Sequence, residues 1–341
     1  MKILRYMGVK KWVLLISAIL SVSLASTALA HVPQTGEENE SLEDAMMIED
    51  PIKSWVVYSE LHEGQVANYY EMEMEEGQRL YLGLLLPENG DFVPNLAVMG
   101  PGIERNESQS LPEFVETPDG VGIEVIEGEL GEREYEPFTP GSYYHPASYD
   151  KEVNESGTYH VIVYNEKETG GKYGLAVGYE ETWGPIEWIW LPIDVIEIHI
   201  WEGQPLAQIF APMISVLAIG FAWTGWKSRK SEKKPDNPKE WGLLTSALLY
   251  IGSGAMLMMQ MIIASSRSNP GLAVIVTIIF ASLPLILGYK LWQNSLDFKE
   301  PEKRDRIKVI VYGFIGIFIW AGMIIGPLIA IISGLLPSRK S

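Results

Sequence analysis

Charge is divided along this chain so unevenly that it dictates the architecture. From His31 to Gly203 there are 37 Asp and Glu against 7 Lys and Arg, and from Gln204 to Ser341 there are 7 acids against 15 bases. The apolar residues collect in the second half, in four runs that contain no Asp, Glu, Lys, Arg or His: 206–226, 241–266, 268–289 and 309–338. About 20 helical residues cross the ~30 Å hydrocarbon core of a bilayer. The pattern therefore predicts an acidic domain in water followed by a transmembrane bundle of four helices over 205–341.

The basic residues give this bundle an orientation. Segment 227–240 carries Lys227, Arg229, Lys230, Lys233, Lys234 and Lys239, and segment 290–308 carries Lys290, Lys299, Lys303, Arg304, Arg306 and Lys308. Between the second and third runs there is only Arg267. Basic loops stay in the cytoplasm, so the acidic domain is expected outside a plasma membrane crossed several times. The N-terminus agrees. Lys2, Arg5, Lys10 and Lys11 precede an apolar stretch at 12–20, and Ala28-Leu29-Ala30 offers small residues at a cleavage site. Residues 1–30 are read as a signal peptide, with His31 first in the exported chain; an uncleaved signal anchor, one more membrane helix, is the other reading, and the Ser- and Ala-rich stretch 21–30 favours cleavage. Four crossings would leave Arg339 and Lys340 outside, against the trend. The fourth run is also overlong and holds Gly326-Pro327, a place for a kink.

With no cysteine, an exported domain relies on a packed core rather than disulfides. Residues 31–50 are acidic and read as a solvated leader. Over 51–182 the pattern has period two. Tyr70, Met72 and Met74 alternate with glutamates. Leu80, Leu82, Leu84 and Leu86 follow a Glu76-Gly77-Gln78 turn. Tyr159, Val161 and Val163, then Tyr173, Leu175, Val177 and Tyr179, repeat the rule. Shorter candidates lie at 54–61, 95–99 and 121–126. Such short strands between Gly, Pro and Asn turns predict an antiparallel β-sandwich of jelly-roll type with one wet face per sheet. The excursion 128–151, rich in Tyr and Pro, either builds a recognition surface or folds back over an open end of the sandwich, and the second reading is favoured.

Three of these pieces resemble a known module. Val66-Ala67-Asn68-Tyr69-Tyr70-Glu71-Met72 with its turn and the strand 79–86, then Gly157-Thr158-Tyr159-His160-Val161-Ile162-Val163, and Gly171-Lys172-Tyr173-Gly174-Leu175-Ala176-Val177 are together similar to the pre-peptidase C-terminal (PPC-like) β-sandwich of exported microbial proteins. The resemblance covers 51–179. It implies an accessory module that binds surfaces or assists folding, in some members with calcium. Fusion to membrane helices departs from the usual arrangement beside a protease, so a protease-accessory role does not carry over.

Segment 183–204 contains Trp183, Trp188, Trp190 and Trp201. Tryptophan gathers where a bilayer meets water, since its ring is apolar and its N–H wants a partner. Ile186, Ile189, Trp190, Ile193, Ile196 and Ile200 recur at helical spacing, which predicts an interfacial helix. Alternation of Ile196, Ile198 and Ile200 leaves a final strand as the other reading.

Candidate chemistry is sparse. An N-terminal His31 offers an amine and an imidazole to one copper ion, with His62, His145 or His160 in the same domain. The acids are overwhelmingly Glu on alternating faces, without an Asp-x-Asp-x-Asp-Gly loop for calcium. No Gly-x-Ser-x-Gly, His-Glu-x-x-His, cysteine nucleophile or phosphate loop occurs. The negative field disfavours nucleic acid. Sequons at Asn39, Asn106 and Asn154 make glycosylation of the outer domain a further expectation. All five histidines precede the apolar runs, so no pair is available for a membrane haem. Ser246, Tyr250, Ser253 and Gln260 with Gly252 and Gly254 form the one polar and small cluster of the second run. Gly313, Gly316, Gly322 and Gly326 form a small-residue face in the last. The leading expectation is a cell-surface binding or assembly module without its own catalysis, with the bilayer and another membrane or surface protein as partners. The alternatives are an accessory or sensory subunit of a larger complex, or a copper- or calcium-binding protein.

Overall fold

The computed structural model describes residues 31–36, 39–65, 67–88, 90–104, 111–118, 120–167, 169–229, 235–295 and 301–336. The expected signal peptide at 1–30 lies outside the described residues. The chain forms two compact units, the first built on 30–210 with 262–270 and the second on 211–261 and 271–341.

Among the described residues, the first unit contains twelve strands and the helix Pro185–Trp201. Strands β1 (Val32–Thr35), β3 (Trp55–Leu61), β12 (Gly171–Val177), β5 (Arg79–Leu85) and β10 (Ser148–Glu152) form one sheet in that order. Strands β2 (Met46–Met47), β4 (Ala67–Met74), β11 (Gly157–Tyr164), β6 (Asn95–Gly100) and β7 (Gly122–Ile126) form the other. β8 (Glu134–Glu136) and β9 (Gly141–Tyr143) make a small ribbon. Period two decides the core. Leu80, Leu82 and Leu84 of β5 meet Tyr70, Met72, Met74, Val161 and Val163 of the opposite sheet, all essentially inaccessible to solvent. Inside that core the Tyr173 hydroxyl accepts from Asn68 Nδ2 at 2.6 Å and shares a 2.6 Å hydrogen bond with the Tyr70 hydroxyl. Buried polar groups thus find partners.

Three expectations are corrected here. The sheets are mixed rather than purely antiparallel, because β1 pairs parallel with β3 and β2 parallel with β4. Residues 31–50 are not a solvated leader, since they supply both of those edge strands and bury Val32, Met46 and Ile48. The reason is local. The Tyr69 amide donates to the Asn39 carbonyl at 2.8 Å while Asn39 Nδ2 donates to the Tyr69 carbonyl at 2.6 Å, which seats the segment against β4. Nor is the second sheet wet on its outer face. Tyr69, Ala97, Met99, Ile162 and Tyr164 form a second apolar layer there, under Leu42, Ala45, Leu111 and Val115. The excursion 128–151 folds back, as favoured: β10 pairs with β5, and Tyr143 and Tyr149 are buried.

The helix α1 (Pro185–Trp201) belongs to this unit, which decides the helix-or-strand alternative. Pro185 opens it, and the Glu187 side chain accepts from the Gly184 amide at 2.6 Å in a capping-box arrangement. It ends at Gly203 with φ +87°, where the Gly203 amide reaches the Ile200 carbonyl and the Gln204 amide the His199 carbonyl, both at 2.9 Å. That is a Schellman motif, and glycine is needed at its left-handed residue.

Beyond it lie α2 (Leu206–Ser228), α3 (Pro238–Arg267) and α4 (Val274–Ser295), three helices long and apolar enough to cross a membrane. The fourth run is not a single helix. It is broken into α5 (Lys303–Phe318) and α6 (Ile325–Leu335). Trp320, Met323 and Ile324 take positive φ of 52°, 56° and 65°, and Gly322 takes +67°. The break precedes Gly326-Pro327, where Pro327 fits an early position of the new helix. α5 and α6 run antiparallel. The Arg306 guanidinium donates to the carbonyls of Gly334 at 2.9 Å and Leu335 at 2.8 Å, and Gly313 backs onto Ile331 and the Pro327 carbonyl.

Candidate functional site

A buried polar cluster lies where the C-terminal turn of α1 meets the ribbon β8–β9. His199 and Glu202 sit at i and i+3, with His199 Nδ1 2.9 Å from Glu202 Oε2 and side chains only 2% and 5% exposed. The Tyr143 hydroxyl donates to Glu202 Oε1, and Gln204 Nε2 donates to Oε2 at 3.0 Å. Burial, and after it the charge of Glu202, pushes the Tyr143 phenol well above its ordinary value. This keeps Tyr143 a donor. Trp201 lies beside the cluster, edge-on to Tyr58 with ring centroids 4.8 Å apart, and its Nε1 donates to the Ser59 carbonyl at 3.1 Å.

Glu136 of β8 belongs to the same neighbourhood, because its charge acts on both Tyr58 and Tyr143. Burial lifts its carboxyl to about 7; the Phe138 amide at 3.0 Å opposes the shift and Glu181 adds to it. A carboxylate partner orients an imidazole and fixes which nitrogen carries the proton. With Nδ1 held by Glu202, His199 presents Nε2, which has no hydrogen-bond partner among the described residues. The cluster is thus an oriented imidazole–carboxylate pair inside the protein that holds the end of α1 to the ribbon.

α1 has two faces. Leu191, Pro192, Ile198 and His199 are buried, and Lys53 Nζ reaches Glu187 at 2.6 Å. The opposite face exposes Ile186, Ile189, Trp190, Ile193 and Ile200, with Ile186 72% and Trp190 53% accessible. Asp194 and Glu197 interrupt that apolar row. Burial first, and then Glu197, raises the Asp194 carboxyl to about 6.

The residues singled out in the sequence separate accordingly. Trp190 is exposed on the outer face of α1. Trp183 and Trp188 stack edge to face with centroids 6.0 Å apart. Trp201 departs from the interfacial expectation, because its indole is turned into the sandwich by Tyr58 and the Ser59 carbonyl. His31 Nδ1 lies 2.6 Å from Ser54 Oγ, and burial together with His145 lowers its imidazole to about 4. Among the described residues no group of three or more His, Asp or Glu could hold a metal ion. Asn39 is 1% exposed with its amide engaged by Tyr69, which corrects the expectation of an accessible sequon. Asn154 is exposed in the turn between β10 and β11. It borders a cleft of about 350 Å³ also lined by Glu104, Glu124, Lys151 and Tyr159. Asn106 lies outside the described residues.

Sequence reasoning missed Tyr143, Glu202, Gln204 and Glu136. The available signal was His199-Ile-Trp-Glu202, a titratable pair at i and i+3 in an isoleucine-rich helix.

No protein-family model matches the chain, and no curated protein matches it. Among solved structures, it is similar to the pre-peptidase C-terminal domain of collagenase from Bacillus anthracis, at 15% identity, covering 38% of this chain and 91% of that one, with a TM-score of 0.22. It is also similar to Aeromonas hydrophila PliG, a periplasmic lysozyme inhibitor of g-type lysozyme, at 14% identity, covering 40% and 97%, with a TM-score of 0.23.

Proposed function

We propose that this chain is a surface module of the plasma membrane that works by binding and assembly, without catalysis of its own. In this reading the β domain lies outside the cell, α1 rests its outer face along the headgroup layer, and the module presents itself to another membrane or surface protein. One observation carries the reading: α1 is pinned to the sandwich by Lys53, Trp201 and the His199–Glu202 pair on one side, yet bares Ile186, Ile189, Trp190, Ile193 and Ile200 on the other. Monomeric soluble proteins rarely gather so many large exposed apolar side chains on one helix face. Only residues 202–205 separate α1 from the first apolar helix, α2.

A sensory role for the same module is favoured by Glu136. A carboxyl lifted to about 7 beside Tyr58 and Tyr143 changes charge within the physiological range. The test is a photo-crosslinking side chain at Ile186 or Ile189 in intact cells. Adducts to lipid, or to one protein species, are expected, and they should fall when Ile193 is replaced by Asp. Reaction with water alone would contradict the proposal.

A further inference from the structure

We infer that the last apolar segment is a re-entrant hairpin, so that the membrane unit crosses three times and the chain ends on the side of its basic loops. The uncharged part of α5, from Val309 to Phe318, is about 15 Å long and the eleven residues of α6 about 16 Å at 1.5 Å per residue. Either matches half of a ~30 Å hydrocarbon core, and neither spans it. The two are antiparallel and close-packed along their whole length: Arg306 lies against Gly334, Ile310 against Gly334, and Gly313 against Pro327 and Ile331. The end of α6 is therefore returned to the beginning of α5.

A turn at mid-membrane depth survives only if protein satisfies its backbone. One stripe of α3 does this. Ser253 Oγ accepts from the Gly322 amide at 2.8 Å, Ser246 Oγ donates to the Gly326 carbonyl at 2.7 Å, and the Tyr250 hydroxyl donates to the Tyr312 carbonyl at 3.1 Å. These three residues are spaced i, i+4 and i+7, hence on one helix face. Gly316, Gly322 and Gly326 all abut the Tyr250 ring, where any side chain would collide. The polar stripe of α3 and the small-residue face of the last segment are thus two halves of one device.

The charge pattern then becomes consistent. With three crossings, Arg339 and Lys340 fall on the same side as the bases of 227–240 and 290–308, and Arg267 alone is opposite.

Because the natural chain has no cysteine, single thiols report their side without background. Ser231→Cys, Ser268→Cys and Ser341→Cys variants of the full chain are treated with a membrane-impermeant maleimide before and after permeabilisation. Ser341→Cys is expected to follow Ser231→Cys and to oppose Ser268→Cys. A reporter active only in the cytoplasm, fused after Ser341, should match the same reporter fused at Lys234, which gives a readout free of thiol chemistry. Labelling of Ser341→Cys together with Ser268→Cys, or a mismatch between the two fusions, overturns the hairpin.

Discussion

Glu202 holds His199 by its ring nitrogen at 2.9 Å, one turn apart on α1, while its other carboxylate oxygen is taken by Tyr143, 59 residues away in sequence. The helix is thereby tied to the ribbon by a charge that has left water. Removing one partner of such a buried pair leaves the other uncompensated, at about 3–5 kcal/mol. Glu202→Ala in the full chain should therefore speed amide exchange in α1 by two orders of magnitude or more. Tyr143→Phe should do so less, because only one hydrogen bond is lost. Unchanged exchange in both variants would show that the pair does not anchor the helix.

The raised Glu136 carboxyl gives the domain a slope with pH. In the unfolded chain a glutamate loses its proton near 4.3, whereas here it keeps it to about 7. Between those values the folded state binds more protons, so stability falls as pH rises and then levels off. The loss is on the order of 3–4 kcal/mol. Glu136→Gln should remove that slope and stabilise the domain at pH 8, as read by thermal unfolding at a series of pH values.

His31 acts over much of the same range with the opposite sign. Its imidazole is lowered to about 4 by burial and His145, so below its unfolded value near 6.5 the unfolded state gains a proton that the folded state refuses. Stability contributed by neutral His31 is present above that value and is lost as pH falls toward 4. His31→Gln should make the fall caused by Glu136 steeper between about pH 4 and 6.5, because the opposing rise is gone, and leave the series above pH 7 unchanged.

Asn39 and Asn154 should differ in a glycosylating host. Asn39 Nδ2 is committed to the Tyr69 carbonyl and is buried, whereas Asn154 is exposed. Intact-peptide mass spectrometry should find Asn39 unmodified. Asn39→Ala should cost about 1–3 kcal/mol, because it strands the Tyr69 carbonyl.

At the membrane turn, Met323 adopts φ 56°, a conformation that favours glycine. Met323→Gly should be tolerated or stabilising, while Gly322→Ala adds a Cβ 3.0 Å from both Gly326 Cα and the Tyr250 ring and should destabilise. Denaturation in mild detergent separates the two.

Much of this was legible from pattern alone. Leu80, Leu82 and Leu84 alternate because their strand has one face in the core, and all three have no exposure. Residues 31–50 hid their role, since a few apolar side chains among many acids carry no period, and the segment is seated by the Tyr69 backbone rather than by its own pattern. The hairpin was hidden for a different reason. Hydropathy cannot tell one long span from two half-spans, although the excess length of the fourth run and the three hydroxyls on α3 were both visible. His199 and Glu202 could be seen as a pair, but their burial depends on Tyr143, which no local rule connects to α1.

The central claim is that α1 is fixed to the β domain by one face and meets lipid with the other. It is tested most directly by an environment-sensitive fluorophore on a single introduced cysteine at Ile193, Ile200 or Glu60 of the full chain in nanodiscs with brominated lipids. The account predicts blue-shifted, lipid-quenched emission at Ile193 and Ile200, increasing as pH falls through about 6 with protonation of Asp194, and water-like emission at Glu60. Water-like, unquenched emission at all three positions would contradict it.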